Sequence, residues 1–240
     1  MAEYETMRSV GVGSRTAAID EGLKAHMSKT YGLMSIAMLI TGAVAYVVGN
    51  NDAMLAAIFG TPLKWVVMFA PLVVVFAFGA MINRLSAGAA QLVFWGFAAL
   101  MGLSISYIFA VYTGISIAQT FMVTAIAFAG LSLWGYTTKK DISGWGSFLI
   151  MGVIGLILAS IVNIFLGSPA IQFAISSIGV LIFAGLTAYD TQRLKNEYIQ
   201  MAQYGETEWL AKSAIMGALS LYLNFLNMFM FLLQFMGGRE

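Results

Sequence analysis

No cysteine occurs among the 240 residues, which excludes disulfides and thiolate metal sites. Histidine occurs once, as His26 ahead of the first long apolar run, so neither a Ser-His hydrolase within a membrane nor a histidine-based metal centre has support. Charge is scarce too. Only 10% of residues are Asp, Glu, Lys or Arg and the net charge is +1, which argues against a nucleic-acid partner. A single carboxylate, Asp190, lies beside the core of a hydrocarbon-length run, whereas aspartyl proteolysis in a membrane needs two carboxylates sharing a proton. There is no Walker A or G-x-G-x-x-G sequence, and Lys212 sits at the edge of the last run, where it could not serve as a mid-membrane Schiff base. Neither an enzyme nor a cofactor is expected.

What the chain does have is apolar length. With 60% hydrophobic residues, 25 glycines and a mean hydropathy of +0.85, it reads as a polytopic membrane protein. Seven runs, at residues 31–48, 63–82, 89–111, 115–136, 144–166, 170–189 and 211–236, are long enough to cross a core of about 30 Å at roughly 1.5 Å per helical residue. None shows the alternation of a membrane barrel strand, so the expected fold is an all-α membrane protein, a bundle of seven transmembrane helices. Short connections marked by Gly88, Gly114, Gly167 and Pro169 make antiparallel neighbours of successive spans. Residues 1–30 read as a charged tail, mobile over residues 1–20, with His26 in solvent, and residues 31–240 as the membrane domain. Ala43-Val44-Ala45 has the look of a signal cleavage site. The preceding stretch, however, mixes Glu3, Glu5, Asp20 and Glu21 with its bases, so the first run is read as a retained helix.

The bases orient the bundle. With a cytoplasmic N-terminus, Arg8, Arg15, Lys24, Lys29, Arg84, Lys139, Lys140, Arg193, Lys195 and Lys212 fall inside, leaving Lys64 and Arg239 outside. The C-terminus is then expected outside, and Asp190 and Arg84 share the cytoplasmic side.

Small residues at helical spacing, Ala98, Gly102, Ser106 and Ala110 in the third run and Ser147, Gly155, Ala159 and Asn163 in the fifth, read as close-packing faces. In the last run Ser213, Gly217, Ser220, Asn224 and Asn227 share one face, and Gln234 continues it beyond Phe231. Such a stripe serves either as interhelical hydrogen-bond glue or as the lining of a path for water or ions. Asp190 likewise admits two readings: the charged end of a span, paired at the interface with Arg193 and Lys195, or a functional carboxylate.

The run Gly179-Val-Leu-Ile-Phe-Ala-Gly-Leu-Thr-Ala-Tyr-Asp190-Thr-Gln-Arg-Leu-Lys195, followed by Leu219-Ser-Leu-Tyr-Leu-Asn224-Phe-Leu-Asn227, resembles the Bax inhibitor-1 family of transmembrane Bax inhibitor motif proteins. Lys139-Lys140-Asp141-Ile-Ser and Val162-Asn163-Ile-Phe fit the same pattern. The resemblance implies a seven-helix fold and, for several relatives, a pH-sensitive calcium leak; others are linked to suppression of cell death or to modulation of a membrane protease. In the calcium-leak relatives two aspartates on the sixth and seventh helices sense pH, and an arginine ending the second helix engages them when closed. Position by position these fall on Asp190, Asn224 and Arg84, so the second aspartate is replaced by an amide.

The sequence therefore points to a passive, proton-sensitive cation path in a bacterial inner membrane, with calcium held weakly and transiently at Asp190. Arg84 closes over Asp190 as gate, Asn224 completes the sensor, and Ser213, Ser220, Asn227 and Asn163 line the path. The partners implied are the lipid bilayer and calcium or other cations. The alternative is a non-conducting regulator that binds another membrane protein complex, with residues 2–29 as a docking arm. Because Asn224 removes the repulsion between paired carboxylates, the pH response is expected to be weaker, or displaced to more acidic values, than in relatives with both aspartates. Asn224→Asp is expected to move the midpoint of pH-dependent flux upward, and an unmoved midpoint in a conducting protein would uncouple residue 224 from Asp190.

Overall fold

The computed structural model describes the backbone of residues 2–202 and 207–238 and the side chains of residues 19–202 and 208–238. Its helices are α1 (Ala2–Gly49), α2 (Asp52–Phe59), α3 (Leu63–Met81), α4 (Ala87–Ile105), α5 (Ile108–Val111), α6 (Gly114–Thr137), α7 (Trp145–Leu166), α8 (Pro169–Met201) and α9 (Thr207–Met236). A 3₁₀ turn at Ile82–Arg84 ends the second span, and no strand occurs among the described residues. Among the described residues seven stretches are long and apolar enough to cross a membrane, in the expected order. The short α2, capped by the Asn51 side chain on the Met54 amide at 3.0 Å, lies in the first connection. Within the third span the helix breaks at Ser106, whose hydroxyl donates to Leu103 O at 2.8 Å, and resumes as α5.

Two spans outrun the sequence reading. The first begins no later than Ile19, and Leu23, His26, Met27, Thr30, Met34, Ala37, Thr41, Ala45 and Val48 form one buried face at helical spacing. The part of the assigned tail from Ile19 to Thr30 therefore belongs to the bundle. His26, expected in solvent, is 7% exposed, with its ring 5.0 Å from that of Tyr198 on α8. The mobility expected for residues 1–20 falls on side chains that, through residue 18, lie outside the described residues. The sixth span does not stop at Tyr189 either: α8 has 33 residues, about 50 Å at 1.5 Å each, and so extends well beyond a 30 Å core. Asp190 thus lies inside a helix.

The last span is the most buried of the seven, because α9 packs against α8, α1, α6 and α4. Apolar residues such as Ile215, Leu221 and Leu233 sit in that core, which is how a helix surrounded by helices must be built. Where α1 meets α4, a Cβ placed on Gly102 would come 2.6 Å from Thr41 O, so the small face of the third span does allow the backbones to approach. The fifth span differs. Ser147 and Gly155 of its proposed packing face are exposed, and α7 packs on α8 through Gly146, Leu149 and Leu156 instead. Both α7 and α3 are peripheral, since α7 rests on α8 and α3 chiefly on α4.

One hydroxyl pair joins three helices at the centre. Thr41 Oγ1 on α1 donates to Ala98 O on α4 at 2.8 Å, and it lies 2.7 Å from the hydroxyl of Tyr222 on α9. Thr41 has one proton and gives it to the carbonyl, so Tyr222 is the donor between the two hydroxyls. The Tyr222 ring is fully buried and meets Phe94 and Phe97 edge-on. Tyr222→Phe should lower stability by about 1 kcal/mol, the usual scale of an interhelical hydrogen bond, read as a lower unfolding midpoint in detergent. An unchanged midpoint would show that this bond does not help to hold the three helices together.

Candidate functional site

The C-terminal third of α8 is fixed from several sides, and that fixes Asp190. Lys195 Nζ donates to Tyr136 O at 2.7 Å at the end of α6, where a cation also meets the negative end of the helix dipole. Gln192 clamps the loop between α6 and α7: its Oε1 accepts from the Ile142 amide at 2.9 Å and its Nε2 donates to Lys140 O at 2.8 Å. In that loop Asp141 accepts from the Ser143 amide at 2.9 Å, which holds its carboxyl below the usual range. Thr191 donates back to Thr187 O at 2.8 Å, as buried hydroxyls in apolar helices do. Each polar residue in the run from Thr191 to Arg193, and Lys195 after it, therefore has a partner.

Asp190 is 6% exposed. Its Oδ2 accepts from Asn224 Nδ2 on α9 at 2.7 Å, and its Oδ1 is 3.0 Å from Arg193 Nη2, one turn along the same helix. The same Nη2 makes a long contact of 3.5 Å to Ser220 Oγ on α9. Arg193 Nε is 3.4 Å from Glu197 Oε1, within ion-pair reach but without the alignment of a hydrogen bond, so this buried N–H has no acceptor among the described residues. The guanidinium also lies 5.8 Å from the Tyr189 ring.

This cluster stands between two cavities. The one central along the bundle's length, about 600 Å³, is floored by Asp190, Asn224, Asn227 and Ser220, walled by α7 and by Leu72 of α3, and open between those two helices, where Leu72, Ile157, Ile161 and Ile164 are exposed. The other, about 270 Å³, lies toward the basic end of the bundle and is lined by Asn83, Arg193, Glu197, Trp209, Ser213 and Ser220 among others. Ser220 lines both. At the far end a third cavity of about 390 Å³ holds Asn163, Gln172, Ser176 and Gln234.

The seven residues singled out from the sequence are thus distributed rather than gathered. Asp190 and Asn224 touch; Ser220 and Asn227 line the central cavity with them, Ser213 lines the basic-end cavity, and Asn163 lines the far-end one. Asn227 Nδ2 donates to Leu223 O at 2.8 Å on its own helix, so it faces the cavity without bonding across it. Arg84 does not reach the site. It is exposed and has no ion pair among the described residues, because α3 unwinds at Met81 into a 3₁₀ turn that presents Asn83 to the basic-end cavity. The arginine on Asp190 is Arg193. Sequence reading placed it beyond the end of the span, although its i,i+3 spacing from Asp190 was the available signal.

The family model described as "Inhibitor of apoptosis-promoting Bax1" matches residues 23–240. The inner membrane protein YbhL of Escherichia coli K12 is 46% identical over 220 residues, covering 91% of this chain and 94% of that protein. An uncharacterized protein of Caulobacter vibrioides is 47% identical over 242 residues, covering 97% and 96% of the two chains, and one of Rickettsia prowazekii is 42% identical over 227 residues, covering 95% of each. The match begins at Leu23, the first buried residue of α1 among the described side chains, and runs through every residue of the site: the chain is a multi-pass inner membrane protein of the Bax inhibitor family.

Proposed function

We propose that this chain is a passive, proton-sensitive leak for cations, calcium foremost, latched near the cytoplasmic side by Arg193 on Asp190. The observation that carries this reading is the juxtaposition of two cavities meeting at Ser220, with the Arg193–Asp190 pair set between them. A carboxylate at this depth is a functional candidate because hydrocarbon depth penalises its charge so heavily. Interhelical packing alone would be served by an amide.

Among the described residues Asp190 is the one carboxylate on the floor of the central cavity; around it Asn224, Asn227 and Ser220 offer neutral oxygens. Calcium takes six to eight oxygens and binds tightly where several carboxylates supply them. A single carboxylate with amides and a hydroxyl is a weak stopping place, which suits an ion that must also leave. Calcium is cargo here.

The latch follows from charge. With Asp190 ionised, the guanidinium stays on its Oδ1 and blocks the junction at Ser220. A proton on Asp190 removes the anion that holds it, and Glu197, already 3.4 Å from Nε toward the basic-end cavity, becomes the better partner. Settling on Glu197 alone takes Nη2 off Asp190 and Ser220 and clears the junction, so acid opens and alkali closes. Asn224 donates to the carboxylate where the resembling leak proteins carry a second acid, so the proton must displace an ion pair and a hydrogen bond without help from like-charge repulsion.

The test is calcium flux into liposomes holding only the purified protein, measured across pH. Flux above that of empty vesicles, rising on acidification, is expected. No flux at any pH, with a co-purifying membrane complex, would favour the regulator instead. Arg193→Ala should raise resting flux several-fold at neutral pH, whereas Arg84→Ala, exposed and unpaired among the described residues, should change it much less. The reverse ranking would return the gate to Arg84.

A further inference from the structure

Beyond Ser220 the polar stripe of α9 has one gap. Between Asn227 and Gln234, seven residues or about 10 Å along the axis, the position on that face is filled by Phe231. The cavities change at the same level. Asn227 lines the central cavity, which ends on Phe231, Phe183 and Ile164, while Gln234 lines the far-end cavity, and no residue lines both. The junction toward the basic end, by contrast, shares Ser220.

Helix α8 repeats the order. Ser176 belongs to the far-end cavity and Phe183 to the central one, and Gly179 lies between them. Gly179 is where the Phe231 ring is seated: a Cβ there would come 2.6 Å from a ring carbon of Phe231. The ring also stacks on Phe183, with centroids 5.9 Å apart and planes 29° apart. Beyond it the amides close on one another. Gln172 Nε2 donates to Gln234 Oε1 at 2.8 Å, Ser176 Oγ donates to the same oxygen at 3.2 Å, and Asn163 Nδ2 donates to Gln172 Oε1 at 3.3 Å.

The geometry points to Phe231 as a hydrophobic barrier that separates the far-end polar cavity from the carboxylate floor, a second closure in series with the Arg193–Asp190 latch. This rests on the cation-path reading above. An apolar constriction stops ions by refusing water, since a cation cannot shed its shell where no oxygen replaces it. Phe231 does this with no charge to titrate. It is held by fit in the hole that Gly179 leaves, so it opens only when α9 shifts against α8. Two independent closures in series multiply: flux scales with the product of the two open probabilities.

The absence of cysteine gives a direct probe. Ser160 lines the central cavity on α7, and Ser160→Cys places one thiol there with little change of shape. In right-side-out spheroplasts, a membrane-impermeant thiol reagent should modify it slowly in the otherwise unaltered chain. Adding Phe231→Ala should speed that about tenfold, equivalent to about 1.4 kcal/mol of lost barrier. Resting calcium flux in liposomes should rise by a similar factor, and the increases for Phe231→Ala and Arg193→Ala should multiply in the double variant. If Phe231→Ala fails to insert, Gly179→Ala, which pushes the ring from its seat, gives the same reading. Unchanged labelling and flux in a protein that conducts would overturn the barrier while leaving the path intact. Faster labelling with no calcium flux in any variant at any pH would keep the barrier and defeat the path.

Discussion

A carboxylate buried at membrane depth has to be given a counter-charge and a donor, and the pairing of α8 with α9 is the answer to that requirement at Asp190. An isolated ionised carboxylate taken out of water is too costly to persist, so either it is neutralised or its neighbours supply what water did. Here Arg193 comes from the same helix and Asn224 from the next, and both must hold their places for the charge to be tolerated. That explains why the polar residues after Asp190 are so thoroughly tied. Gln192 on the loop and Lys195 on the end of α6 set the rotation of α8 about its axis, and the central packing of α9 sets the position of Asn224. Small errors in either would separate donor from acceptor, and a hydrogen bond to a charged group falls away steeply beyond its short optimum.

The number and order of spans were legible in the sequence because apolar length is a signal that no tertiary contact overrides in a membrane. Helix ends were not. Charges mark where hydrocarbon stops, and a helix can continue past that point when its next turns are anchored, as α8 is to Met201. Stopping it at Tyr189 cast the pairing of Asp190 with Arg193 as one of two readings, an interfacial one, and left Arg84 as the apparent gate partner. The same error moved His26 into solvent, although Leu23, Met27, Thr30 and Met34 already show the helical spacing of the buried face. The α7 stripe failed at Ser147 and Gly155, though not at Ala159 and Asn163, for a different reason. Small residues mark where close approach is allowed, but a peripheral helix touching one neighbour has several faces with small residues and uses the one that the neighbour fills, here Gly146 against Tyr189.

The parts that hold still and the parts that can move are separated in this bundle. The hydroxyl pair of Thr41 and Tyr222 and the tight approach at Gly102 lock α1, α4 and α9 into one unit. Peripheral α3 and α7 carry most of their surface to lipid and together wall the central cavity over the floor of α8 and α9. Moving either changes the cavity without breaking the core, which is the usual economy of shear motions between packed helices. Pro71 within α3 adds a place where that helix lacks one backbone hydrogen bond and bends more easily.

In the proposed leak, an amide rather than a second acid at residue 224 has a consequence for how the site can hold an ion. Two carboxylates facing one cavity would attract a divalent ion strongly and would also raise the cost of the empty, ionised state, so occupancy and proton would compete for the same charge. With one carboxylate already neutralised by Arg193, the empty state is self-satisfied and needs neither ion nor proton to be stable. On the proposed reading such a site would spend most of its time closed. An uncharged barrier at Phe231 fits that arrangement, because a floor with little attraction for cations leaves exclusion of water as the main means of keeping the far half shut. In the proposed scheme the titratable closure and the apolar one would have separate tasks: the first would answer to acid, and the second would set the resting leak to which that answer is applied.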